Sequence, residues 1–336
     1  MGPYIKNKKS AETIMINLVL ALIPIIIFGI IKNGIIPYTR GNTNELFYPI
    51  IPIIISIISC TIFDTIYSLT IEKKKNIKRI IIENKSLYLP ILLSLIIPIK
   101  TPIPIIIGGT FIYSTIKIIL KKIEKIRINE VALAALLIIL ILKITGNYTE
   151  INKIMGTYEE LVKPYGNITK MIIGMPKETL GQVSSLLCGI GFVFLTLTKS
   201  IKWKIPLAYI LTIFGVTYVV GGINDLGLWY PIYQIIAGGL VFIGIYIITE
   251  EETTPTTPVG QMLFGMFAGI LTIILTYLLQ FNIGTALLSI IIMNLITPIL
   301  DKIGAYARFN FKIALIPFII AWVLILILSL VISIKY

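Results

Sequence analysis

Apolar runs long enough to cross a bilayer, roughly 17–25 residues each, recur along this whole chain and leave room for little except a bundle of membrane helices. Backbone groups in hydrocarbon must find partners inside their own segment, so each run is read as a helix. Of the 336 residues, 57% are hydrophobic and only 13% are charged, with a mean hydropathy of +0.95. That composition leaves no soluble domain of useful size, and residues 1–336 are expected to form a single integral membrane domain in the plasma membrane.

Charge then sets the orientation. The chain carries 29 Lys+Arg against 16 Asp+Glu, a net charge of +13. In a soluble protein this excess would suggest nucleic acid. Here the basic residues flank apolar runs, as in the tail Lys6, Lys8 and Lys9 and in the clusters 72–79, 121–127 and 199–204, so the partner is the bilayer and not nucleic acid. The positive-inside rule puts the N-terminus and these clusters in the cytoplasm. The first run lacks a small-residue cleavage site and reads as a retained helix. The absence of histidine excludes histidine-ligated haem, histidine-bound zinc and histidine-containing catalytic triads. Cys60 and Cys188 lie inside apolar runs and read as small hydrophobes.

Taken in order, the runs predict ten or eleven spans. Residues 86–99 are too short for a comfortable span and are broken by Pro98-Ile-Lys-Thr-Pro-Ile-Pro104, a pattern that suits either a cavity-lining interrupted helix or a tight hairpin. Residues 145–179 form the longest hydrophilic stretch. The segment from Ser86 to Pro104 is similar to that from Ser184 to Pro206: each opens on a small polar residue and ends at a Lys and an Ile-Pro. The two enter from opposite sides, as an inverted repeat requires.

Charged and polar groups at membrane depth are the candidates for function. Asp64, with Thr61 and Thr65 beside it, could hold a cation through oxygen ligands; the competing reading is an interfacial carboxylate facing Lys73–Lys75. Asp301 is a second carboxylate for an ion path, with Lys302 and Arg308 as available counter-ions. Asn129 and Glu130 open a helix, where an amide and an acid also serve as caps. Thr249-Glu-Glu-Glu-Thr-Thr-Pro-Thr-Thr-Pro-Val-Gly260 cannot continue a helix in lipid and reads as a loop on the cytoplasmic side.

Several ordered landmarks resemble the RnfD/NqrB membrane subunits of ion-translocating Rnf and Nqr complexes. Residues 249–260 align without gaps with the family pattern T-D-P-V-T-S-P-V-T-P-x-G. Around them stand Pro231-Ile-Tyr-Gln-Ile-Ile-Ala-Gly-Gly-Leu240, Leu263-Phe-Gly-Met-Phe-Ala-Gly269 and Met293-Asn-Leu-Ile-Thr-Pro-Ile-Leu-Asp301. Leu180-Gly-Gln-Val-Ser-Ser185 and Lys202-Trp-Lys-Ile-Pro206 agree more loosely, and Asn129 stands where the family has the asparagine of F-N-P-A. The length resembles RnfD.

The resemblance implies an all-α polytopic membrane protein of about ten transmembrane helices in two inverted five-helix repeats, residues 11–147 and 180–336, joined by an extracytoplasmic loop at 148–179. It implies other subunits of an Rnf- or Nqr-like complex as partners, and flavin-mediated electron transfer coupled to transport of Na+ or H+. It also implies FMN attached covalently to a threonine, which is Thr157 in this sequence; Ile151, Ile154 and Met155 depart from the attachment motif. Thr253, Thr254, Thr256 and Thr257, with Asn129, are the further candidates for flavin contact. An unmodified Thr157, a flavin-free scaffold subunit, and a secondary transporter or channel with inverted repeats are the other readings of the same residues.

Overall fold

The structure is a computed structural model that describes residues 11–41, 46–71, 73, 80, 88–123, 127–147, 154–174, 179–237, 239–307 and 311–335. Among these residues the fold is helical throughout, the one β-type contact being an isolated antiparallel bridge between Pro98 and Thr179. In chain order the main helices are α1 (Ala11–Ile30), α2 (Ile51–Thr70), α3 (Tyr88–Ile96), α4 (Ile103–Lys122), α5 (Glu130–Ile144) and α6 (Ser185–Leu197). They are followed by α7 (Lys204–Ile223), α8 (Trp229–Ala237), α9 (Leu240–Ile247), α10 (Pro258–Leu279), α11 (Asn282–Tyr306) and α12 (Phe311–Lys335). A π-helical turn at Ile31–Ile35 carries α1 on to Thr39.

Seven of these segments are long and apolar enough to cross a membrane, and an eighth results if α8 and α9, which meet at 70°, form one bent span. The sequence predicts ten or eleven; among the described residues the shorter apolar helices, such as α3 and α6, fall below that length. The described part of α3, Tyr88–Ile96, is buried throughout, and residues 81–87 before it lie outside the described residues. Hydropathy alone does not separate a buried helix from a lipid-facing one, because the protein interior and lipid select the same side chains. α3 lies against α2 and α5, and α5 against α4 and α11.

The helices turn their apolar faces outward and many of their polar groups inward. On α2, Ile54, Ile58, Ile62 and Ile66 are exposed, whereas Ser56, Ser59, Cys60, Asp64 and Ser68 are buried. A soluble helix bundle has the opposite pattern; this one is built to meet hydrocarbon.

Close backbone approach organises the second half. α7 packs along α10 and α10 along α11. A Cβ at Gly265 would lie 2.5 Å from the Ile205 carbonyl oxygen, and one at Gly269 would lie 3.0 Å from that of Tyr209. This is the small-xxx-small device of helix pairing in lipid, where van der Waals packing replaces the hydrophobic effect. The break between α8 and α9 also depends on glycine: Gly239 has φ 66°, and a Cβ there would press on the Gln182 side chain.

Gly265→Val should therefore destabilise the bundle by about 1–3 kcal/mol through overpacking, whereas Gly215→Ala, where a Cβ meets nothing within 4 Å, should be neutral. Thermal unfolding of the two variants in detergent checks the difference.

Candidate functional site

The loop between α9 and α10 is held by side chains from three other parts of the chain. Lys202, between α6 and α7, donates to the carbonyl oxygens of Glu251 at 3.0 Å and Thr254 at 3.1 Å, and to the Thr254 hydroxyl at 2.9 Å. Asp301 of α11 accepts through Oδ1 from the Thr256 amide at 2.8 Å, the Thr256 hydroxyl at 3.0 Å and the Thr257 amide at 3.3 Å. Thr297 donates to the Thr253 carbonyl at 3.0 Å. Asn129 donates through Nδ2 to the Ile247 carbonyl at 2.8 Å, while its Oδ1 accepts from Ala132 N and caps α5. With the Asn294 amide turned to match its neighbours, its oxygen accepts from Asn129 N at 2.8 Å.

The threonines of this loop are committed to structure. Thr249 donates to Ile245 O at 2.7 Å and Thr254 to Glu250 O at 2.8 Å, and Thr257 accepts from Gly260 N as the N-cap of α10. Thr249, Thr253, Thr254 and Thr257 are all buried. The loop therefore folds back into the protein at its threonines, while Glu251, Glu252 and Thr256 stay exposed, where the sequence alone suggests an exposed connector. Asp301 serves as a backbone cap for it, a role the counter-ion reading of that residue lacks; Arg308 lies outside the described residues. Burial lowers the pKa of Lys202, while the nearby Glu251 and Asp301 act in the opposite direction.

Beside this loop lies a cavity of ≈ 260 Å³. Its walls are mostly apolar, from Met15 and Leu18 of α1 and Leu92 of α3, with Tyr88, Asn129 and Tyr246 as polar points and Glu250–Glu252 along one side. Asn17 of α1 donates to the Ser200 hydroxyl at 3.0 Å. The start of α1, residues 127–129, residues 199–204, the 249–257 loop and the end of α11 thus converge at one end of the bundle.

A second assembly lies between α2 and α4. Lys117 Nζ stands 2.8 Å from Asp64 Oδ2, with both side chains buried at 6% and 4% exposure. Cys60 Sγ lies 3.8 Å from the same carboxylate oxygen and 3.8 Å from Ser114 Oγ. The Ser59 and Thr110 hydroxyls share a hydrogen bond of 2.8 Å, and Lys117 Nζ lies 5.6 Å from the centroid of the Tyr113 ring. Asp64 is therefore an interior carboxylate. Asp64 lies six residues before the end of α2, and of the Lys73–Lys75 cluster that the interfacial reading turns it towards, Lys74 and Lys75 lie outside the described residues. Lys117 is the partner that sequence reasoning missed. The signal was present, since it is a lone cation inside the run 105–120, and such a charge marks function as readily as a carboxylate does.

Thr157 lies in the first half of the long hydrophilic stretch 145–179. It is exposed and stands at the N-cap position of a short helix, Tyr158–Leu161, with no hydrogen bond from its side chain to the helix. Its approach is fixed from below: the Gln234 amide donates to Ile154 O, and the Tyr230 hydroxyl donates to Met155 Sδ at 2.7 Å and pairs with the Tyr277 hydroxyl. A Cβ on Gly156 would lie 2.7 Å from Glu160 Oε2. The structure does not bring Thr157 near Asp64 or the 249–257 loop; these are three separate places. Cys188 is buried in the core, as a small hydrophobe.

These features define the class: a multi-span helical membrane protein with interrupted helices, a side-chain-clamped loop and an ion pair inside two membrane-length helices. The chain belongs to the NQR2, RnfD, RnfE family, whose model matches residues 1–310. It is 27% identical over 332 residues, 92% of this chain and 95% of the relative, to the D subunit of the proton-translocating ferredoxin:NAD(+) oxidoreductase complex of Clostridium ljungdahlii. It is 26% identical over 300 residues, 89% and 92% of the two chains, to the D subunit of the ion-translocating oxidoreductase complex of Methanosarcina acetivorans. To the D subunit of the Na(+)-translocating ferredoxin:NAD(+) oxidoreductase complex of Acetobacterium woodii it is 29% identical over 123 residues, 37% of this chain and 36% of that one.

Asp301→Ala leaves the Thr256 and Thr257 amides without their acceptor and should cost about 1–3 kcal/mol, whereas Asp301→Asn keeps an acceptor oxygen and should cost less. Denaturation midpoints of the purified variants test the ordering. Lys202→Met should expose the 249–257 loop to added protease, because the clamp on the Glu251 and Thr254 carbonyls is gone.

Proposed function

We propose that this chain is the RnfD-like membrane component of an ion-translocating oxidoreductase complex, working with other subunits of that complex. The observation that carries the reading is the family match along nearly the whole chain, together with relatives of similar length named as D subunits of such complexes. The chain acts as one component of an assembly, with electron entry from soluble donors handled by partner subunits.

Asp64 is placed on the ion path. A buried carboxylate inside two adjoining membrane-length helices is costly to keep, and the oxygens near it are of the kind that hard cations prefer. Arg127 and the 199–204 cluster share one end with the start of α1, so the positive-inside rule assigns that end and the N-terminus to the cytoplasm. Two inverted five-helix repeats remain the organisation we favour. The two stretches the repeat rests on, 86–104 and 184–206, each place a short helix, α3 or α6, before a 20-residue one, α4 or α7.

FMN attached through the Thr157 hydroxyl is part of the same reading. The residues fit the group: the hydroxyl is exposed, no helix cap competes for it, and Gly156 keeps the preceding position free of a side chain. When bound, FMN would supply one- and two-electron redox chemistry. The chain's own contribution there is positional, because Tyr230, Gln234 and Tyr277 hold the 154–156 segment on α8 and α10. The threonines at 253, 254, 256 and 257 are assigned to loop structure in this reading.

The test is to isolate the tagged chain from native membranes. Co-isolation of redox subunits and an FMN-sized mass on the peptide containing Thr157, lost in Thr157→Ala, is the expected result. A chain that purifies alone from intact membranes and moves a solute on its own would favour the transporter reading. An unmodified peptide from a complete complex would overturn the attachment at Thr157.

A further inference from the structure

The ion pair between α2 and α4 has features that a purely structural pair does not need. The buried face of α2 presents Ser56, Cys60 and Asp64 at successive four-residue steps, and the buried face of α4 presents Thr110, Tyr113, Ser114 and Lys117. Among the described residues, Ser56 Oγ and Tyr113 Oη have no hydrogen-bond partner, although both side chains are 0% exposed. Buried hydroxyls without partners are uncommon and unfavourable, and a hard cation with its retained water is the kind of guest that satisfies them. Tyr113 lies one turn before Lys117 on the same helix and under its ammonium. The orphan hydroxyl, the carboxylate and the cation therefore share one neighbourhood.

A second positive charge cannot join Asp64 while the Lys117 ammonium remains 2.8 Å away. In a low-dielectric interior the two cations would repel strongly and compete for one carboxylate. Lys117 has somewhere else to go. It stands five residues before the end of α4, whose last turn carries Lys121 and Lys122, and a lysine stem can lie along apolar surface while its head reaches the interface.

We propose that Lys117 is a tethered cation that holds the Asp64 carboxylate at rest, and that a sodium ion binds between α2 and α4 only by displacing it. The ion would take Asp64, with hydroxyl oxygens drawn from Ser114 and Tyr113. Occupancy of the site by the tethered ammonium and by sodium is mutually exclusive, so the site is never an open negative hole in the bundle. This inference rests on the placing of Asp64 on the ion path.

The experiment is equilibrium binding of radioactive sodium to the full chain in detergent, in alkaline buffer at ionic strength fixed with choline. Removing the tethered competitor in Lys117→Met should lower the sodium concentration for half-saturation by about tenfold or more, because the closed state no longer taxes binding. Lys117→Gln, which removes the charge but keeps a hydrogen-bond donor, should do the same and covers the case in which the methionine variant fails to fold. Lys117→Arg retains a tethered cation and should bind no tighter than the parent chain. Asp64→Asn should abolish saturable binding alone and in combination with Lys117→Gln. Saturable binding that survives Asp64→Asn would overturn the site itself, and with it the place of Asp64 on the ion path. Binding lost in Asp64→Asn yet no tighter in well-folded Lys117→Gln would overturn the competition alone.

Discussion

A chain that interrupts its helices inside a membrane protein must provide partners for the backbone groups it releases, and that requirement governs one whole end of this molecule. Between Ile247 and Thr257 the carbonyls and amides no longer pair within a helix. Asn129, Lys202, Thr297 and Asp301 meet them instead, from α5, the α6–α7 connection and α11. These four side chains come from both halves of the chain, so the loop that looks like a surface connector joins the bundle together. The adjacent cavity exists because α1, α3 and this loop are held in place around it.

The remainder of the bundle follows from the same rule applied to side chains. Apolar faces of α2, α4 and α12 are turned outward, and the polar stripe of α2 and α4 is enclosed. Enclosure makes the Asp64–Lys117 pair both expensive and informative. Replacing such a pair with apolar residues of similar volume is often neutral for stability, whereas removing one partner alone costs about 3–5 kcal/mol. A charge pair that packing does not require is best accounted for by what it does.

Much of the architecture was legible in the sequence because hydrophobic run length speaks directly to membrane-spanning helices. The family frame was legible because residues 249–260 and their flanking blocks keep their order and spacing. Which apolar segments face lipid and which face protein was not, since the buried stretch Tyr88–Ile96 is as apolar as a lipid-facing one. Nor were the partnerships legible. Lys117 and Asp64 are 53 residues apart in sequence, and Lys202 reaches Thr254 across 52. No local periodicity reports contacts of that separation. Asp64 was readable as a candidate by its charge alone, its partner was hidden in a run read only for hydropathy, and the capping role of Asp301 depends on how the loop folds back.

On this account, ion movement coupled to electron transfer runs through the chain by way of Asp64. The most direct test is cation uptake by inverted membrane vesicles energised with reduced ferredoxin and NAD+, the couple named for its relatives. Vesicles carrying the parent chain should accumulate the cation, and vesicles carrying Asp64→Asn, with the complex assembled to the same level, should oxidise ferredoxin without accumulating it. Undiminished uptake in the Asp64→Asn vesicles would contradict the account.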